Sequence, residues 1–477
     1  MTGVDPERLA TALAVFRELD DLPVDHPDAV LVRAATGRLF KQVKERRRRD
    51  RRDAELAHDA AVTAATATGA PGRIDDETRG LPLSSGTVTA LAGTRRNARA
   101  CYTCKQRYVE VDAFYHQLGP SCAALNRSRR EARTDLTGRR ALLTGGRAKI
   151  GMHIALRLLR DGADLTVTTR FPADAVRRFT SMPDSPDWLD RLHVVGVDLR
   201  DPAQVIALAD SVAARGHLDV LVNNAAQTVR RSPGAYSALV AAESGALPAG
   251  PLPELIDLGH ARDAHPPALA PGQGAQSPAF TAHALTALAL TSGSASLDRV
   301  ADQTAIDAGG LVPDLDDVNS WTRRVEQVDA LELLEVQLCN SVAPFVLISR
   351  LRPALAASPA RRTYVVNVSA MEGQFARGYK GPGHPHTNMA KAALNMLTRT
   401  SAQEMLETDG ILMTAVDTGW ITDERPHPLK ARLHTEGFHA PLDLVDGAAR
   451  VYDPVVRGEL GEDLFGVFLK DYAPAAW

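Results

Sequence analysis

Three groups of residues in this sequence have the types and spacing that chemistry requires. The first is CYTCKQRYVEVDAFYHQLGPSC, where Cys101 and Cys104 form a C-x-x-C pair and His116 and Cys122 follow. Thiolates two residues apart can converge on one ion, and three sulfurs with one imidazole complete a tetrahedral Zn2+ ligand set. Tyr102, Tyr108, Phe114 and Tyr115 would supply a miniature core that needs such a staple. Gly119 stands where a second C-x-x-C pair would need a cysteine, so buried thiols and a redox-active pair stay open as alternatives. The second group is TGGRAKIG, Thr144 to Gly151, between a short apolar strand (Ala141 to Leu143) and a helix with Ile154, Ala155, Leu158 and Leu159 on one face. Such a turn directs backbone N–H groups and a helix N-terminus at a pyrophosphate. The third is the loop GQFARGYKGPGHPHTNMAK, which places Tyr379, His384 and His386 just before Lys391. An imidazole titrates near neutrality and can act as acid or base. The competing reading makes these residues helix caps or pocket walls.

The elements needed to position these groups follow in order. Strands ending in VVGVDLRD, LDVLVNNAA and VVNVSA succeed the glycine-rich turn. Alternating strands and helices predict an α/β fold, a Rossmann-type doubly wound parallel sheet, over residues 137–477. Ahead of it the spacing predicts an N-terminal helical segment over 1–62, a linker over 63–96 and a small Cys/His module over 97–133. Asp5 and Pro6 suit a helix start, and Leu9, Leu13, Phe16 and Leu19 follow at helical spacing. The run ERRRRDRRD from Glu45 to Asp53 reads as a solvated helix surface. An insertion of about 229–316, rich in Ala, Pro, Gly and Ser, leaves the sheet after NNAA and returns before Asn340. Its position predicts a lid or substrate-binding subdomain, with a disordered surface excursion as the alternative for its centre.

This succession resembles the short-chain dehydrogenase/reductase (SDR) family. The family's T-G-x-x-x-G-x-G turn is matched by Thr144 through Gly151, except that Lys149 replaces the middle glycine. The acidic residue that holds adenine is matched by Asp198, followed by Leu199. The N-N-A-G turn is matched by Asn223-Asn224-Ala225-Ala226, the active-site Asn by Asn340 and the active-site lysine by Lys391. Thr418 stands where Pro usually precedes Gly419. The resemblance thus implies cofactor contacts from Thr144, Gly145, Gly146, Arg147, Lys149, Ile150, Gly151, Thr169, Arg170, Asp198, Leu199, Asn224, Ala225, Lys391, Thr418 and Gly419. Two departures are chemical. Thr387 occupies the place of the catalytic Tyr, and the Ser-Ser pair reads Ser369-Ala370. A Thr hydroxyl ionises far too weakly to exchange a proton near neutrality. The resemblance implies an atypical NADP(H)-dependent oxidoreductase that moves a hydride to or from a small organic substrate with a non-standard proton donor. Candidates for its machinery are Lys391, His386, His384, Tyr379, Thr387, Asn340 and Ser369, with Asp417 and Trp420 as further pocket residues. A nucleotide sensor without catalysis and a non-redox lyase or dehydratase are the alternatives. NADP(H) is expected ahead of NAD, because Thr169 and Arg170 end the second strand where NAD-specific relatives carry an acid, and Arg147 and Lys149 lie nearby. The family also implies a homodimer or homotetramer.

Composition sets the outer bounds. A 477-residue chain with 44% hydrophobic and 24% charged residues has enough material for two or three cores. A formal net charge of −3 gives no electrostatic reason to expect nucleic acid or an anionic membrane. No apolar run approaches the roughly 20 residues of a membrane span. Four cysteines, without a basic and apolar leader, suggest a reducing cytoplasm.

Overall fold

The computed structural model describes residues 3–73, 90–258 and 309–477. Asp5 accepts the N–H groups of Glu7 and Arg8 and Pro6 occupies the first turn, which starts α1 (Pro6–Glu18). The next helix, α2 (Pro27–Ala64), has 38 residues and is therefore about 57 Å long. Most of it is exposed; near its C-terminal end the buried Asp59 accepts N–H groups from Arg96 and Asn97. An antiparallel pair, β1 (Leu91–Ala100) and β2 (Arg107–Asp112), is followed by α3 (Pro120–Glu131).

The linker expected over 63–96 is overturned at both ends, and 74–89 lie outside the described residues. Residues 91–96 belong to β1. Arg73 is buried and donates to the carbonyls of Thr68 and Ala440, both at 2.7 Å, so its segment is an anchor. A polar, Gly-punctuated stretch can satisfy its backbone against another domain as well as against water, and the composition does not distinguish the two. Arg130 on α3 donates to Asp443 (2.7 Å) and Asp446 (3.0 Å), and the Tyr115 hydroxyl donates to Asp446 (2.7 Å). Val111, Phe114 and Leu118 share one apolar cluster with Ile421, Leu442 and Leu444. The module is thus packed onto the large domain.

That domain runs β3 (Arg140–Leu143), α4 (Lys149–Arg160), β4 (Asp164–Thr169), α5 (Pro172–Thr180), β5 (Leu192–Gly196), α6 (Pro202–Ala214) and β6 (Val220–Asn223). It continues with α7 (Ser237–Glu243), β7 (Glu254–Asp257), α8 (Ala330–Gln337), α9 (Ala343–Ala356) and β8 (Thr363–Ser369). Last come α10 (Pro385–Asp409), β9 (Ile411–Asp417), α11 (His427–Thr435), α12 (Leu444–Glu459), β10 (Phe468–Lys470) and β11 (Ala473–Ala475). The strand order is β11-β10-β9-β8-β6-β3-β4-β5-β7, parallel except for β11. Helices cover both faces, so the strands read as nearly continuous apolar runs. One face buries Ile154 and Leu158 of α4 with Val451 and Val455 of α12. The other buries Leu208, Leu347, Leu351 and Met405 of α6, α9 and α10. Strand order reverses between β3 and β6, which opens a crevice at their carboxyl ends. The helical run 330–356 is apolar and long enough to cross a membrane by composition, yet Leu347, Leu351 and Leu355 are core residues here.

The insertion is also corrected. Its residues 254–257 are β7, an edge strand paired in parallel with β5, so part of it belongs to the sheet. This pairing draws the described parts toward the β4–β5 side. The central part of the expected lid, 259–308, lies outside the described residues.

Candidate active site

The glycine-rich turn is built by close backbone approach. A Cβ on Gly151 would lie 2.0 Å from the Gly145 carbonyl oxygen, and one on Gly146 would lie 2.7 Å from Val167. The Thr144 hydroxyl accepts the N–H groups of Asn224 and Ala225, both at 3.0 Å, and the Asn224 amide donates back to the carbonyls of Thr144 and Gly145. These bonds tie the β3 turn to the β6 turn across the switch point. Lys149, in the place of a glycine, adopts φ +53°, a conformation costly for a residue with a side chain. Gly145, Lys149, Ile150 and Gly151 line a cleft of about 1060 Å³, with Thr144 and Gly146 behind them.

At the β4 end, Arg170 lies over the rings of Phe171 and Tyr236 (5.6 and 4.9 Å) and donates to the Tyr236 hydroxyl at 3.2 Å. The Thr169 hydroxyl accepts the Phe171 N–H. Arg147 pairs with Asp174 at 2.5 Å and donates to the Gly309 carbonyl at 2.7 Å. A carboxylate, Asp174 of α5, therefore stands beside Arg147, and Arg147 and Arg178 both bind it. Tyr236, Gly309 and Leu311 come from the insertion, so its described parts wall the cleft beside Arg147 and Arg170. Asp198 lines the cleft with Leu199, but both its oxygens accept from Arg200 and its N–H donates to Gln204. Arg200 in turn reaches Glu335 at 2.9 Å.

At the other end, Thr387 and Lys391 stand one helical turn apart on α10 and both line the cleft. Lys391 is buried and donates to the Val368 carbonyl at 2.8 Å, and burial pushes its pKa down to about 8. The buried Thr387 hydroxyl has no hydrogen-bond partner among the described residues. Ser369 lines the cleft and donates to Asn395 at 2.6 Å. Asp417, at the end of β9, is buried in the same wall; burial pushes its pKa up to about 6 although Gly419 donates an N–H to it at 2.9 Å. His384 caps α10 with φ +43°, stacks on Trp321 at 3.9 Å and bonds its carbonyl through Nδ1 at 2.9 Å. Burial holds its pKa below the ordinary imidazole value. Thr418 and Gly419 complete this wall.

Three expected catalytic residues stand elsewhere. His386 is 1% exposed and contacts Glu332 of α8 at 3.4 Å, behind the cleft wall. One residue along a helix is a rotation of about 100°, so Thr387 and Lys391 facing the cleft turn His386 away. Tyr379 is 75% exposed and outside the cleft. Asn340 lies in a π-helical turn (Leu338–Val342), and its amide accepts the N–H of Gln227 (2.7 Å) and donates to its carbonyl (3.0 Å). It holds the loop after β6 rather than lining the cleft.

The thiols of Cys101, Cys104 and Cys122 lie within 4.8 Å of one another. His116 is not with them. Its Nδ1 bonds the Thr68 hydroxyl of the anchor segment (2.8 Å) and its Nε2 meets the amide of the neighbouring Gln117 (2.9 Å). Tyr102, Thr103 and Lys105 of the cysteine loop line the cleft, which the sequence reading missed. No local signal reveals a contact across 318 residues, such as the Trp420 N–H donated to the Tyr102 hydroxyl.

Residues 139–239 match the family model described as short chain dehydrogenase. An uncharacterized protein of Acanthamoeba polyphaga mimivirus is 28% identical over 376 residues, 76% of this chain and 72% of that protein. A "Probable oxidoreductase" of Streptomyces antibioticus is 41% identical over 91 residues, 19% of this chain and 30% of that protein, so the match spans under a third of its length. Among solved structures, a short chain dehydrogenase from Burkholderia cenocepacia in complex with NADP covers 70% of this chain and 97% of its own at 19% identity and TM-score 0.43. The family match lies on the part of the domain that carries the glycine-rich turn, and over those residues the chain is similar to the short-chain dehydrogenase/reductase family.

Proposed function

We propose that this chain is an NADP(H)-dependent oxidoreductase acting on a small organic carbonyl or alcohol, with Asp417 in place of the usual phenol as proton carrier. The observation that carries the reading is that Lys391 and Asp417, both buried, line one cleft with the glycine-rich turn. The turn fits a dinucleotide: Gly146 and Gly151 leave no room for a Cβ, Gly145 adopts φ +72°, and the start of α4 lies beside them. Arg170, Arg147 and Lys149 would hold a 2′-phosphate, and Lys391 would bind ribose hydroxyls in place of the Val368 carbonyl. The cofactor supplies the hydride when bound. Reduction of a carbonyl also needs a proton at the developing alkoxide. A carboxyl with a pKa of about 6 keeps a protonated fraction near neutrality, which Thr387 does not offer. His384, with Nδ1 engaged by Trp321, is the second residue able to carry it.

Calorimetric titration with NADPH and NADH tests the cofactor half. NADPH should bind at least about tenfold tighter, as expected for guanidinium–phosphate contacts. Equal or tighter NADH binding overturns it. NADPH oxidation across a panel of small carbonyl compounds tests the activity. Asp417→Asn should lower turnover by roughly 10²–10⁴ with little change in cofactor affinity.

A further inference from the structure

The three-thiol cluster plays no part in the reading of the cleft just given. A tetrahedral zinc–thiolate site has Zn–S distances of about 2.3 Å and therefore sulfurs about 3.8 Å apart. The sulfurs here, all within 4.8 Å, need contract by less than about an ångström to meet that geometry. The backbone around Cys101 turns toward its sulfur. The backbone N–H groups of Gly119, Cys104 and Thr103 are directed at its sulfur. Lys105 takes φ +63°, so the chain doubles back after Cys104, and the Cys101 N–H closes the loop on the Gln106 carbonyl at 2.9 Å. Cys122 is delivered separately by the first turn of α3.

We propose that Cys101, Cys104 and Cys122 bind one Zn2+ through three thiolates, with a solvent molecule as fourth ligand, and that the loaded loop fixes the cleft wall at Trp420. The solvent ligand enters beside Cys104, which is exposed. Tyr102 lies between two ligands, and its hydroxyl accepts the Trp420 N–H at 2.9 Å. Its own N–H donates to the Gln117 carbonyl at 2.8 Å, which ties the loop to the turn before α3. None of the three cysteines lines the cleft, so the ion acts by holding Tyr102 and not as a Lewis acid on substrate. The metal reading stands whatever the cleft catalyses, because its readouts are metal content and amide exchange rather than turnover.

The test uses the full chain, purified under reducing conditions. Elemental analysis should find one zinc per chain, and Co2+ replacement should give the intense absorption of thiolate-bound tetrahedral cobalt. Cys104→Ser, at the exposed ligand, should weaken Zn2+ binding while His116→Gln leaves the stoichiometry at one. Hydrogen exchange followed by mass spectrometry supplies the coupling. Chelation should speed exchange in the peptide carrying the Trp420 amide by roughly tenfold, the scale of one lost hydrogen bond, with the β3–β6 core unchanged. A folded protein that takes up no zinc when titrated, or one holding a Cys101–Cys104 disulfide in place of metal, overturns the site. Zinc loss that leaves exchange at Trp420 unchanged overturns the coupling.

Discussion

Asp417→Asn separates what this carboxylate does for chemistry from what it costs the fold. The residue is 4% exposed, and burial pushes its pKa from 3.8 to about 6. Between those values the folded chain binds more protons than the unfolded one, so stability falls as pH rises through that window and is flat above it. At about 1.4 kcal/mol per pH unit, the native protein at pH 8 carries a penalty of about 3 kcal/mol for keeping this group ionised and buried. Asn has nearly the same shape, carries no charge, and its carbonyl oxygen can still accept the Gly419 N–H. The variant should therefore be more stable than the parent by up to about 3 kcal/mol at pH 8, and no more stable below pH 3.8. For a cooperative unit of about 300 residues this corresponds to a rise in Tm of about 5 °C. Thermal melts of both proteins at a series of pH values measure the difference directly, and contributions from other titrating groups cancel. A variant no more stable than the parent at pH 8, or a gain that does not depend on pH, refutes the reasoning.

Other substitutions test other joints of the structure. Arg130→Met leaves Asp443 and Asp446 buried beside an uncharged side chain and should cost about 3–5 kcal/mol in chemical denaturation; a loss under about 1 kcal/mol would show that the module does not depend on this pair. Lys149→Gly should release about 1 kcal/mol of left-handed backbone strain while weakening NADPH binding; unchanged stability by denaturant titration argues against strain. Replacing 229–316 with a short Gly/Ser link should lower NADPH affinity, because Tyr236 and Gly309 hold Arg170 and Arg147. Undiminished affinity by calorimetry would return the segment to the role of a substrate lid. Thr387→Tyr should not create ordinary alcohol dehydrogenase activity, since Ala370 still lacks the hydroxyl that orients a substrate oxygen; NADP+ reduction by simple alcohols in that variant would show otherwise.

The sequence by itself determined the parts of the protein whose geometry is local. The turn from Thr144 to Gly151 was legible because φ angles and missing Cβ atoms are properties of neighbouring residues, and the apolar strands because burial on both faces removes polar positions. Lys391 was legible through the family resemblance, which marks one lysine on the helix that precedes the sixth strand. The tertiary structure decided everything that depends on which remote surfaces meet. His116 and Cys122 lie six residues apart, but only packing sends one to Thr68 and the other to the thiols. His386 and Thr387 are adjacent, and the rotation of α10 against the sheet puts only the second in the cleft. The insertion gained an edge strand because β5 left a parallel edge unpaired, a fact with no trace in composition. Tyr102 reached the Gly419–Trp420 turn because Arg73, Tyr115 and Arg130 anchor the module to the start of α12 and the chain before it. Those contacts bridge more than 300 positions, a separation at which no local periodicity carries information.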